Sequence, residues 1–85
     1  PAIEAGSAVR AADAQAQKTA AEARYDVVLA EAEAAHKVEL ERCDGLAGDA
    51  KSACRDVADA TLTSAKSTAE MQRDRALAMA ESKGG

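Results

Sequence analysis

The sequence holds no Phe and no Trp, one Tyr, one Pro, one His and a single pair of cysteines. The missing aromatics remove the platforms on which single-stranded nucleic acid stacks, and they deprive strands of several preferred residues. Charge of one sign is concentrated nowhere: 11 Lys and Arg are interspersed among 15 Asp and Glu, for a net charge of −4. A surface that tracks phosphates needs clustered cations, so nucleic acid is not an expected partner. No run approaches the roughly eighteen consecutive apolar residues of a membrane span. There is no Gly-rich phosphate loop, and no Ser, Cys or Thr stands in a catalytic pattern with His36 as base. Neither an enzyme nor a cofactor site is expected.

What the chain has in quantity is alanine, 24 of its 85 residues, against only fourteen larger apolar residues. Alanine is the strongest helix former, so the expected class is all-α. A chain this short buries a small fraction of its surface and needs support beyond its own core. The two cysteines offer one such support and self-association offers another.

Pro and Gly punctuate the chain at three places: Pro1 with Gly6, Gly45 with Gly48, and Gly84 with Gly85. The uninterrupted stretches between them predict helices over residues 7–44 and 49–83, joined by a bend at 44–49, within one helical-hairpin domain spanning 1–85. Ser7 is expected to cap the first helix and Gly45 to end it in the left-handed conformation, with Leu46 folding back on Leu40. Asp49 is expected to cap the second helix, where the helix dipole favours a carboxylate. An antiparallel fold about this bend brings Cys43 and Cys54 face to face, and a structural disulfide follows. The alternative, a redox dithiol, ordinarily places its cysteines two residues apart at a helix start. A disulfide implies an oxidising compartment, and a chain beginning at Pro1 fits a mature form after signal-peptide removal, although a chain trimmed for expression begins the same way. Localisation is therefore expected to be periplasmic or extracellular.

Projected at about 100° per residue, the first helix has two apolar sides. Ala14, Ala21, Tyr25, Val28, Leu29, Ala32, Leu40 and Cys43 share one. Val9, Ala16, Ala20, Ala23, Val27, Ala34 and Val38 lie on the other, with Glu22, Asp26, Glu33, Lys37, Arg24, Glu31 and Arg42 on the flanks. The second helix shows one stripe, from Ala50, Cys54 and Val57 through Ala58, Thr61, Ala65, Thr68, Ala69, Gln72, Ala76 and Met79. Its opposite face carries Arg55, Asp56, Asp59, Lys66, Glu70, Arg73 and Asp74 and is expected to be solvated.

One constellation carries metal chemistry on paper. Glu33-x-x-His36 matches half of the carboxylate di-metal site of four-helix bundles. The complete site also needs carboxylates from facing helices, whereas pairing anchored at the cysteines puts Thr61 and Leu62 opposite His36; no metal is expected. Tyr25 reads as core filler with its hydroxyl at the edge. Met71 and Met79 read as packing, or else as part of an adaptable surface for clients.

The segment Arg42-Cys43-Asp44-Gly45-Leu46-Ala47-Gly48-Asp49-Ala50-Lys51-Ser52-Ala53-Cys54 resembles the Cys-Asp-x-Leu-x-Gly-x-x-Lys-x-x-Cys stretch of a group of small, Ala-rich and Lys-rich exported proteins of Gram-negative bacteria. Those proteins often carry a Tyr upstream of the first cysteine, as Tyr25 stands here. The resemblance covers residues 20–70, and only its cysteine segment is specific. It implies an exported, disulfide-linked helical hairpin and no activity. This chain departs from the group in being acidic, so a role for a basic surface does not carry over.

The functional expectation is an exported, non-enzymatic structural or interaction protein. Its hairpins self-associate through Val9, Ala16, Ala20, Val27, Ala34 and Val38 into a bundle or a filament. A small envelope chaperone that binds unfolded clients is the alternative, and a metal-binding bundle the third.

Overall fold

A computed structural model describes the backbone of residues 2–84 and the side chains of residues 8–82. The chain forms two helices, α1 (Ala2–Cys43) and α2 (Gly48–Gly84), which run antiparallel as a hairpin. The molecule is a thin ribbon of 72 × 15 × 6 Å. Alanine every few residues, with no proline inside either stretch, explains why a helix of 42 residues is not interrupted. α1 starts at Ala2, five residues before the expected position, so Ser7 lies within the helix and not at its cap; the Ser7 side chain and Pro1 lie outside the described residues.

The bend is tighter than expected, and its left-handed residue is a different one. Gly45 donates its N–H to the Arg42 carbonyl at 3.2 Å, and Leu46 donates to the Cys43 carbonyl at 2.9 Å, so α1 closes through successive three-residue turns. Gly45 therefore keeps a negative φ. The positive φ falls on Gly48, at 59°, where the chain swings into α2. Glycine reaches that region without the strain a Cβ brings. Asp49 sits inside the first turn of α2 and makes no side-chain hydrogen bond to the backbone. Its contribution is to the helix dipole, as is that of Arg42 in the last turn of α1. Leu46 remains exposed.

The most buried positions of the seam between the helices are nearly all alanine, with larger side chains half-buried around them. The fully buried apolar residues among those described are Ala14, Ala21, Ala58, Ala69, Ala80 and Cys43. Half-buried Tyr25, Val28, Leu29, Ala32, His36 and Leu40 on α1 complete it, as do Cys54, Leu62, Ala65, Arg73, Ala76 and Leu77 on α2. These positions recur every eleven residues: Ala14, Tyr25 and His36; Ala21, Ala32 and Cys43; Cys54, Ala65 and Ala76; Ala58, Ala69 and Ala80. Eleven residues in three turns is about 3.67 per turn, close to the helix's own period, so two long helices stay in contact without the left-handed winding that a seven-residue repeat imposes.

That repeat corrects the stripe read from the sequence of the second helix. The true seam is turned by about 50° at about 100° per residue, which leaves Val57, Thr61, Thr68, Gln72 and Met79 exposed at its edge and brings in Leu62, Arg73, Leu77 and Ala80. Alanine at the centre of the seam lets the backbones approach closely, and the longer Leu62, Arg73 and Leu77 are half-buried along its edge.

Candidate functional site

At the bend, residues of the Cys43–Cys54 segment converge. Cys43 and Cys54 are joined by a disulfide with Cα atoms 5.5 Å apart, and Cys43 is completely buried. Asp44, the residue after α1, receives two cations from α2: the Lys51 Nζ and the Arg55 Nη1, each 3.5 Å from its Oδ1. Gly48 supplies the left-handed turn. The segment thus binds covalently, electrostatically and conformationally one feature, the reversal of the chain. Exposed ion pairs of this kind each stabilise by less than about 1 kcal/mol, so the bridge dominates.

Glu33 and His36 do not converge on a common point. The His36 Nε2 lies 2.7 Å from the Asp59 Oδ1 on α2, and Glu33 lies 3.9 Å from the Lys66 Nζ. The acid missing from the expected surroundings of His36 is therefore present, because Asp59 reaches across from the face that the sequence assigned to solvent. Thr61 and Leu62 do line the groove beside His36, as expected. The Thr61 hydroxyl donates to its own helix at the Val57 carbonyl, 2.9 Å away, so His36 and Thr61 do not form a base and nucleophile pair. Among the described residues, no three His, Cys, Asp or Glu side chains lie close enough together to hold a metal ion.

Arg73 is the second residue that leaves the expected solvated face. Its guanidinium carbon stands 4.4 Å from the centre of the Tyr25 ring, and its side chain is 27% exposed. The arrangement is a cation–π contact across the seam. The Arg73 Nε donates to the Asp74 carboxylate at 3.1 Å, and this bond raises the guanidinium pKa above its ordinary value, with desolvation opposing it and the charges of Asp74, Tyr25 and Glu22 adding smaller contributions. The Arg73 guanidinium thus lies over the Tyr25 ring, in a groove that Ala69, Gln72 and Ala76 of α2 also line. An 11-residue count from Lys51 through Leu62 to Arg73 was the signal available in the sequence.

The other apolar side of α1 is open along its length. Val9 is 67% exposed, Val27 56% and Val38 52%, and Ala16, Ala20, Ala23, Ala30 and Ala34 between them are exposed as well. This face points away from α2, about 150° around α1 from the seam at about 100° per residue. All six residues assigned to self-association from the sequence lie on it. No helix is long and apolar enough to cross a membrane among the described residues. No protein family, curated protein or solved structure matches this chain.

Proposed function

We propose that this chain is an exported, non-enzymatic structural protein that works by packing its helices against further copies of itself. The observation that carries the reading is the open α1 face: three valines more than half exposed, aligned with a row of alanines, on a hairpin whose buried apolar residues, among those described, are five alanines and Cys43. A seam of that composition gives little hydrophobic stabilisation, at about 25 cal/mol per Å² removed from water, and covering the second face adds to it. The Cys43–Cys54 bridge supports an oxidising compartment, since such bonds do not persist in a reducing cytosol. Sedimentation velocity of the oxidised protein across micromolar concentrations tests the reading. Mass above the 8.7 kDa of one chain is expected, and a strictly monomeric helical protein rejects it.

A second reading, a small envelope chaperone that holds unfolded clients, draws on a different surface. Met71 and Met79 on α2 are 57% and 59% exposed, and exposed methionine adapts to varied apolar partners. Suppression of aggregation of a reduced client protein is its signature. No suppression at stoichiometric excess removes it.

A further inference from the structure

We infer that two copies pair antiparallel through the open α1 face and form a closed dimer, a single layer of four helices in the order α2, α1, α1, α2. The inference rests on the self-association reading and adds which partner, which orientation and why assembly stops.

The layer follows from angles. A helix at the corner of a square four-helix bundle presents two faces about 90° apart, whereas the two apolar faces of α1 are about 150° apart. Opposed faces put the second copy on the far side of α1 from α2. Assembly stops there because the pairing is isologous: both copies use the same α1 face, so the dimer presents no free copy of it.

The orientation follows from the repeat and its charges. Ala16, Ala20, Ala23, Val27, Ala30 and Ala34 alternate at four and three residues, the seven-residue pattern of a coiled-coil seam, and all six are exposed. The pattern continues into Asp13 at one end and Lys37 at the other. A parallel pair would stack Asp13 on Asp13 and Lys37 on Lys37, and would place Asp26 beside Glu31 of the second copy. An antiparallel pair avoids all three clashes. Val27 then faces Ala30 of the second copy, and Ala34 faces Ala23. On one flank Arg24 meets Glu31 of the second copy, twice by symmetry; both side chains are exposed and neither has an ion-pair partner in its own hairpin within 4 Å. The other flank brings Asp26 near Glu33 of the second copy, but Glu33 already has Lys66 at 3.9 Å. A contact strip about 30 Å long buries on the order of 1,000 Å² in total, the lower edge of specific interfaces, so a modest, dilution-sensitive affinity is expected.

Charge reversal tests this directly by sedimentation equilibrium on the oxidised full chain. Arg24→Glu and Glu31→Arg should each raise the dimer dissociation constant roughly tenfold, since two rim pairs turn repulsive in each case. The double variant Arg24→Glu/Glu31→Arg should return to the wild-type constant, and so should an equimolar mixture of the two single variants, in which every facing pair is again opposite in charge. Tightening by Glu31→Arg would overturn the orientation, because a parallel pair sets residue 31 beside Asp26. Wild-type particles larger than two chains would overturn closure, and single variants that associate like wild type would overturn the pairing. In each of those outcomes self-association itself survives, whereas a wild-type protein that never leaves 8.7 kDa removes both.

Discussion

Replacing Ala69 by Leu puts the alanine seam to the test. Ala69 is 3% exposed and faces the stretch of α1 around Ala21, Tyr25 and Val28, with which it lines one groove. Leucine and alanine are both strong helix formers, so the change leaves the intrinsic stability of α2 nearly untouched. What it adds is three carbons at a point where the two backbones are close because only a methyl group separates them. Such overpacking costs about 1–3 kcal/mol, and for a domain of this size each kcal/mol moves the melting temperature by about 4–8 °C. A loss of roughly 5–20 °C is expected, read by circular dichroism at 222 nm on oxidised protein held at one concentration, because association also shifts the midpoint. Ala60→Leu is the matched control. The same three carbons are added at an exposed position on the outer side of α2, away from both the seam and the open α1 face, where no loss is expected. Ala69→Leu melting at or above the wild-type temperature would refute the close-packed seam.

Reducing the Cys43–Cys54 bridge releases a closed loop whose ends are 11 residues apart, worth about 3 kcal/mol in the chain-entropy account, so a melting temperature lower by roughly 10–20 °C with reductant is expected. Gly48→Ala should cost about 1 kcal/mol because a Cβ is strained at φ 59°, whereas Gly45→Ala, whose new Cβ would stand 3.4 Å from the Arg42 carbonyl oxygen, should cost less; denaturant midpoints of the two variants give the comparison. Tyr25 is the only aromatic residue, so its fluorescence reports one site: acrylamide quenching should rise in Arg73→Ala, which uncovers the ring, and unchanged quenching would contradict the contact.

The two helices, the reversal between them and the cysteine pairing are legible in the sequence because each has a local cause: uninterrupted alanine-rich stretches, a cluster of glycines, and two thiols flanking it. The two faces of the first helix are legible for the same reason, since valine and alanine periodicity within one helix needs no knowledge of its partner. The seam of the second helix is legible in part. The three-and-four count finds Cys54, Ala58, Ala65, Ala69 and Ala76, but hydrophobicity adds Val57 and Met79, which are exposed, and misses Ala80 with Leu62, Arg73 and Leu77. An eleven-residue count carries Ala58 and Ala69 on to Ala80, three turns apart.

Arg73 escapes for a related reason. Polarity assigns both Arg73 and Asp59 to solvent, and Asp59 is 65% exposed even as it reaches His36, but the geometry of the true seam lays Arg73 over Tyr25. The left-handed residue is a third case. Gly45 and Gly48 are equivalent as letters, and only the hydrogen bonds of Gly45 and Leu46 to the last turn of α1 decide that Gly48 bears the positive φ. The Glu33 and His36 pair fails as a site because each side chain takes a different partner on α2.

The reversal at residues 44–47 underlies the disulfide, the seam and the outward α1 face alike. Small-angle X-ray scattering of the oxidised protein, extrapolated to dilution, measures it without any substitution. The hairpin predicts a maximum dimension near 72 Å with a radius of gyration near 19.8 Å. One continuous helix of the same chain would extend to about 128 Å at about 1.5 Å per residue, and a particle of that length would contradict the account.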